Sequence, residues 1–104
     1  MIRVSVLYQN ADGKKFDMAY YCNKHMPMVK QKLGLACKRV DVDQGLGGAQ
    51  PGSKPAFVAM THLVFDSVDA FQKAFEPHAG AIMGDIPNYT DIQPLIQLSE
   101  VKMP

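Results

Sequence analysis

The chain has no tryptophan, only two cysteines and no long uninterrupted run of apolar residues. A helix that crosses a bilayer needs about 20 consecutive apolar residues, and nothing here approaches that length. Cys22 and Cys37 are too few for a disulfide scaffold and lack CxxC spacing, so no zinc knuckle can be built from them and reduced thiols are expected. Charge of one sign is missing too, because 11 Lys and Arg stand against 10 Asp and Glu with no basic run. Such a surface has no means of attracting a phosphate backbone or an anionic membrane. The first residues, MIRVSVLY, alternate and carry Arg3, unlike the apolar centre of a secretory leader. A cytoplasmic location is therefore expected.

What is present is ordinary globular material, with 47% hydrophobic and 20% charged residues across 104 positions. Residues 1–104 are read as one domain, without repeat or linker. A chain of this size buries a real core but has little surface left over for a deep cleft, so self-association is expected.

Ile2, Val4, Val6 and Tyr8 alternate with Arg3, Ser5 and Leu7, the period-two pattern of a strand. Turn residues follow at 10–14 (NADGK). A second strand is expected over Ala36 to Gln44, where Val40 and Val42 interleave with Arg39, Asp41 and Asp43. Gly45 to Pro55 is dominated by glycine and proline and reads as a long exposed connection. It is no nucleotide loop, because a GxGxxG begun at Gly45 would need glycine where Gln50 stands. Phe57 to Phe65 is apolar on both alternating sets of side chains, which predicts a central strand covered above and below. Two helices can cover one face, and the simplest cover for the other is a second copy of the chain. Asp66 or Ser67 caps a helix carrying Val68, Phe71 and Phe75, with Asp69 in its first turn and Pro77 at its end. Residues 78–89 form a small-residue connection with room for one more helical turn before Ile86-Pro87, and a last strand runs near Ile92 to Val101. The order strand, helix, strand, strand, helix, strand is the α+β, ferredoxin-like arrangement.

The stretch Phe16 to Gly34 carries the most chemistry. At about 100° per residue, Met18, Tyr21, Cys22, His25, Met28 and Val29 share one sector, with His25 near its middle. Pro27 has no N–H and crowds the preceding turn, so the carbonyl of Asn23 loses its helical partner and a bend is expected at the histidine. Gly34 is expected to close the helix as a left-handed cap. An imidazole on an apolar helix face is either a packed core residue with one hydrogen bond or a group that moves protons.

Several of these residues are similar to a known pattern: Phe16, Tyr20, Tyr21, Lys24-His25-Met26-Pro27 and Gly34; Phe65-Asp-Ser-Val-Asp-Ala-Phe71; and Asp85-Ile-Pro-Asn-Tyr-Thr90. Together they resemble the EthD family of the dimeric α/β-barrel superfamily, over nearly the whole chain. The resemblance implies a homodimer paired through its sheet faces. The family takes its name from a protein associated with ethyl tert-butyl ether degradation beside a cytochrome P450 system. It implies no fixed reaction, since the wider superfamily includes cofactor-free monooxygenases, isomerases, cyclases, dehydratases and decarboxylases.

His25, the histidine of the family's His-x-Pro, and Tyr21 are the expected catalytic pair, a general acid or base and a phenol that orients substrate or donates a proton. Cys22, Met28, His62, His78, Asp85 and Tyr89 are the expected substrate-binding residues. Four of them have a structural alternative: Met28 as core filler, His62 as an interface residue, His78 as a loop histidine and Asp85 as a turn brace. No local ligand pair such as HxxxH exists, so no metal is expected, and no organic cofactor. The expected ligand is a small hydrophobic or aromatic metabolite. The activity is either cofactor-independent acid–base chemistry tied to isomerisation, elimination or oxidation, or non-catalytic binding in support of an oxidation system.

Overall fold

The computed structural model describes residues 1–104. The alternating first segment forms β1 (Ile2–Gln9), and the two-sided apolar segment forms β3 (Phe57–Phe65). They pair antiparallel from Ile2 opposite Phe65 to Tyr8 opposite Ala59. β2 (Arg39–Gln44) adds to the far side of β3, and β4 (Leu95–Glu100) to the far side of β1. The sheet order is β2-β3-β1-β4, all antiparallel, with β3 and β1 in the middle. This is the ferredoxin-like α+β arrangement expected from the element order.

Two of these strands begin later than the sequence pattern implies. β2 starts at Arg39 because Gly34–Ala36 first make a 3₁₀ turn. β4 starts at Leu95 because Pro94 has no N–H to give to a ladder and Ile92 donates instead to the side chain of Thr90.

One face of the sheet carries Val4, Tyr8, Ala59, Thr61, Leu63 and Phe65, all buried under the helices. The other face, by strand alternation, carries Leu7, Val58, Met60, His62, Val64 and Leu95. The helical layer begins at α1 (Met18–Tyr20), where the Asp17 side chain accepts a hydrogen bond from the Tyr20 backbone. It continues through a π-helical turn (Tyr21–His25) into α2 (Met26–Leu33). The wide turn lies where a bend was expected, just before Pro27. Its consequence for facing was not legible in a 100° wheel. The extra residue delays the helix phase, so that Tyr21, His25, Met26, Val29 and Leu33 are buried while Cys22 is exposed and Met18 and Met28 are half-buried.

Gly34 ends the helix at φ 63° and ψ −148°. The positive φ suits glycine as expected, but the extended ψ sends the chain into the 3₁₀ turn instead of a left-handed cap. Ser67 caps α3 (Val68–Phe75) by accepting from the Ala70 backbone. Pro77 sits inside the 3₁₀ turn Glu76–His78 that follows. The connection expected at 78–89 holds α4 (Ala79–Gly84) and a further 3₁₀ turn, Ile86–Asn88. Residues 45–55 form the exposed connection between β2 and β3.

Candidate functional site

The segment carrying Asp85 and Tyr89 is fastened to the start of the first helix. Phe16 forms a bridge with Thr90, the Asp17 backbone donates to the Tyr89 carbonyl at 2.8 Å, and the Thr90 hydroxyl donates to the Lys15 carbonyl at 2.6 Å. The Lys15 backbone in turn donates to Asp91 at 2.9 Å. These bonds bring residues about 65 positions apart in sequence side by side, with Asp85 against His25 and Tyr20.

Asp85 is a shared acceptor. One carboxylate oxygen accepts from the Tyr20 hydroxyl at 2.7 Å and the Asn88 side-chain amide at 2.8 Å. The other lies 2.9 Å from Nδ1 of His25. Tyr20 and His25 are five residues apart, which an α-helix would place about 140° from each other. The π turn brings them to one carboxylate. Burial pushes the Asp85 carboxyl up, but the hydrogen bonds from Asn88, His25 and Tyr20 outweigh it and hold the group below the usual carboxylate value. The same bond raises the Tyr20 phenol.

His25 is 4% exposed. Burial lowers its pKa, and the hydrogen bond and charge of Asp85 only partly oppose that, so the ring titrates below its ordinary value and is neutral at neutral pH. A neutral imidazole beside a carboxylate keeps its proton on Nδ1 as donor to Asp85, which leaves a lone pair on Nε2. That lone pair points to the Tyr89 hydroxyl at 3.5 Å. Tyr89 and Tyr8 are joined hydroxyl to hydroxyl at 2.7 Å, and Tyr21 bonds Thr61 at 2.5 Å. The rings pack stacked, tilted or edge-on: Tyr21 lies over His25 with 5.4 Å between centroids, Tyr89 is tilted against His25 at 4.6 Å, and Phe16 meets Tyr8 edge-on at 5.0 Å. Burial raises the phenols of Tyr8, Tyr21 and Tyr89, so all three stay protonated and serve as donors.

Between this aromatic cluster and the remaining helices lies a cavity of about 100 Å³, bounded by Val4, Val29, Leu63, Phe71, Phe75 and Ile82, with Pro94 and the more exposed Met83 and Ile96 also in its wall. The polar residues in its wall are His25, Thr61 and the tyrosines, and the surface they present to it is almost wholly apolar. An enclosed apolar cavity of about 150 Å³ holds benzene; this one is smaller but not enclosed.

Of the expected site residues, His25, Tyr21 and Tyr89 line the cavity, and Asp85 stands directly behind His25. Tyr21 stacks on the imidazole but commits its hydroxyl to Thr61. Cys22 lies on the exposed side of the π turn with its thiol toward Met18, because the added residue turned it outward. Met28 and His78 are half-buried and do not border the cavity. His62 occupies the opposite sheet face, bonded through Nδ1 to the Ser5 hydroxyl at 2.8 Å, since Thr61 and Leu63 on either side of it take the inward positions. No group of three His, Cys, Asp or Glu side chains converges as a metal site would require. Sequence reasoning missed Tyr8, Tyr20, Thr61 and Asn88. Tyr8 was detectable as an inward position of β1, whereas Tyr20 depends on the π turn.

The EthD domain family matches residues 13–93. An EthD-like protein from Ralstonia eutropha JMP134, solved as a crystal structure, is 50% identical, superposes with a TM-score of 0.94 and is matched over 98% of this chain and 92% of its own. An ethyl tert-butyl ether degradation (EthD) family protein from Bacillus halodurans C-125 shares the fold at 16% identity, with a TM-score of 0.67 over 97% of this chain and 98% of its own. HapK from Hahella chejuensis shares it at 12% identity, with a TM-score of 0.56 over 100% of this chain and 96% of its own. No curated protein matches the chain. No helix is long and apolar enough to cross a membrane. With four-fifths of its length matched by the domain and half its residues shared with an EthD-like structure, the chain belongs to the EthD family.

Proposed function

We propose that this protein is a cofactor-independent acid–base enzyme acting on a small hydrophobic or aromatic metabolite, with His25 as the proton-transferring group. The observation that carries the reading is the two-sided setting of the imidazole: Asp85 fixes Nδ1 from behind while the ring borders a cavity in front. A base so placed is neutral when it must accept a proton, and the carboxylate stabilises the imidazolium that results. Such a group contributes about 10²- to 10⁴-fold in rate. Asp85 acts as a positioning residue, with Tyr20 and Asn88 holding it in turn.

The working unit is a homodimer paired through the open sheet face. Support comes from Val58, Met60, Val64, Leu7 and Leu95, apolar side chains gathered on the side of the sheet that no helix covers. The free thiols of Cys22 and Cys37 suit a cytoplasmic setting. The family resemblance associates the chemistry with degradative oxidation, in which an isomerisation, elimination or oxygenation-linked proton transfer is the natural step for His25.

A second reading has its own support. The cavity wall is almost wholly apolar, which also suits a carrier that holds a hydrophobic metabolite for an oxidation system. NMR titration of the His25 ring with and without toluene separates structure from function. A ring that titrates below its ordinary value and shifts when toluene enters supports the proposal. A ring that is unmoved by toluene across the same pH range overturns it.

A further inference from the structure

The 3.5 Å separation between Nε2 of His25 and the Tyr89 hydroxyl is longer than an ordinary hydrogen bond of about 2.7–3.2 Å. By contrast, the Tyr8–Tyr89 bond is tight at 2.7 Å. The Tyr21 phenol, which also meets Thr61, faces the Tyr8 hydroxyl as a donor, and that leaves the proton of Tyr8 for Tyr89. If Tyr8 donates to Tyr89, the proton of Tyr89 is free to point toward the imidazole and the cavity. A donor and a base therefore face one another across a short gap in the wall of an apolar chamber. Lys and Arg are absent from the cavity wall, so nothing there would hold a ligand's carboxylate or phosphate.

We propose that Tyr89 is a second catalytic residue, an oxyanion donor supported by Tyr8, and that the substrate is a neutral one-ring or similarly small molecule whose carbonyl or enolic oxygen is conjugated to the carbon that loses a proton. This deepens the acid–base reading of His25 and rests on it. The carbon–hydrogen bond breaks and its proton passes to Nε2. The electron pair left behind delocalises onto the oxygen, and the enolate so formed accepts a hydrogen bond from Tyr89. The imidazolium then returns the proton to another carbon or to the oxygen of the same molecule. The net change is an isomerisation that needs no oxidant, reductant or co-reactant. Burial favours this division of labour, because Tyr89 stays protonated and stabilises the charge without surrendering its proton. It also explains why the tyrosine–histidine gap is loose: a substrate oxygen settles beside Tyr89, and the carbon next to it meets Nε2.

4-Nitrophenol tests the assignment, since its phenolate mimics an enolate, and nitrobenzene is the same ring without the oxygen. The wild-type protein should bind both, hold 4-nitrophenol more tightly, and favour its coloured phenolate form relative to free solution. Tyr89→Phe should weaken 4-nitrophenol by about tenfold or more and leave nitrobenzene unchanged. Tyr8→Phe should produce the same pattern with a smaller loss, and it serves if Y89F does not fold by circular dichroism. Equal binding of the two probes, or equal losses for both in Y89F and Y8F, would overturn the role of Tyr89 while leaving that of His25 standing. His25→Gln should still bind nitrobenzene but no longer favour the phenolate. If H25Q ionises 4-nitrophenol as well as wild type, or if neither probe enters the wild-type cavity, the reading of His25 fails and the assignment of Tyr89 fails with it.

Discussion

His62 on the open sheet face and His25 in the helical layer that covers the other face sit in different surroundings. His62 on the open face has a hydroxyl partner, Ser5, and apolar neighbours along β3. His25 on the helix side has a carboxylate behind it, phenols beside it and a cavity in front. The residue type is the same, and the environment decides its use. On the open face the physical problem is apolar surface awaiting a cover. On the helix face the problem is a buried polar cluster that must satisfy itself, and no polar side-chain atom buried there lacks a hydrogen-bond partner.

The comparison can be broken at either face. Leu95→Asp places a charge on the open face beside Leu7, and it should weaken self-association by about 3 kcal/mol, or roughly 100-fold, through lost apolar burial and an unpaired charge. Sedimentation velocity over a concentration series checks this, and an unaltered dimer would remove the open face from the interface. Asp85→Ala strips His25, Tyr20 and Asn88 of a common acceptor and should cost about 2 kcal/mol of stability by denaturant unfolding. Ser5→Ala on the other face should cost only about 0.5–1 kcal/mol in the same measurement. If S5A is as damaging as D85A, the contrast between the faces is false.

Acid should expose the contrast more gently. The folded-state pKa of His25 lies below its unfolded value near 6.5, so between those values the unfolded chain binds more protons. Stability from this group is complete above about pH 6.5 and falls as pH drops toward the folded pKa. Asp85, also depressed, adds a loss in the same direction below the usual carboxylate pKa. His25→Gln should flatten the upper part of this slope in urea midpoints measured between pH 7 and 5, and an unchanged slope would contradict the buried neutral ring. The smallest effect belongs to Cys22→Ser on the exposed side of the π turn, within about 0.5 kcal/mol and without influence on ligand binding.

The parts of this structure that repeat with a fixed period were legible in the sequence. Alternation located β1 and matched β3 from Phe57 to Phe65, and the Ser67 cap located the start of α3. Pro27 marked the place where the regular helix is interrupted, because a missing N–H is a local fact. What the interruption does to facing was hidden, since a π turn changes the angle per residue and a fixed wheel then misplaces Cys22 and Met26. The Asp85–His25 contact was hidden for another reason. It depends on the bridge from Phe16 to Thr90, a long-range pairing that leaves no periodic trace in either segment.

All of the chemistry argued for this protein requires Nε2 of His25 to carry a lone pair toward the cavity while Nδ1–H is held by Asp85. Long-range nitrogen–proton NMR of the His25 ring at neutral pH reads that tautomer directly. The account predicts a protonated Nδ1 and a bare Nε2 in the wild type, with the preference lost in Asp85→Ala. A ring protonated at Nε2, or protonated at both nitrogens at neutral pH, would contradict it.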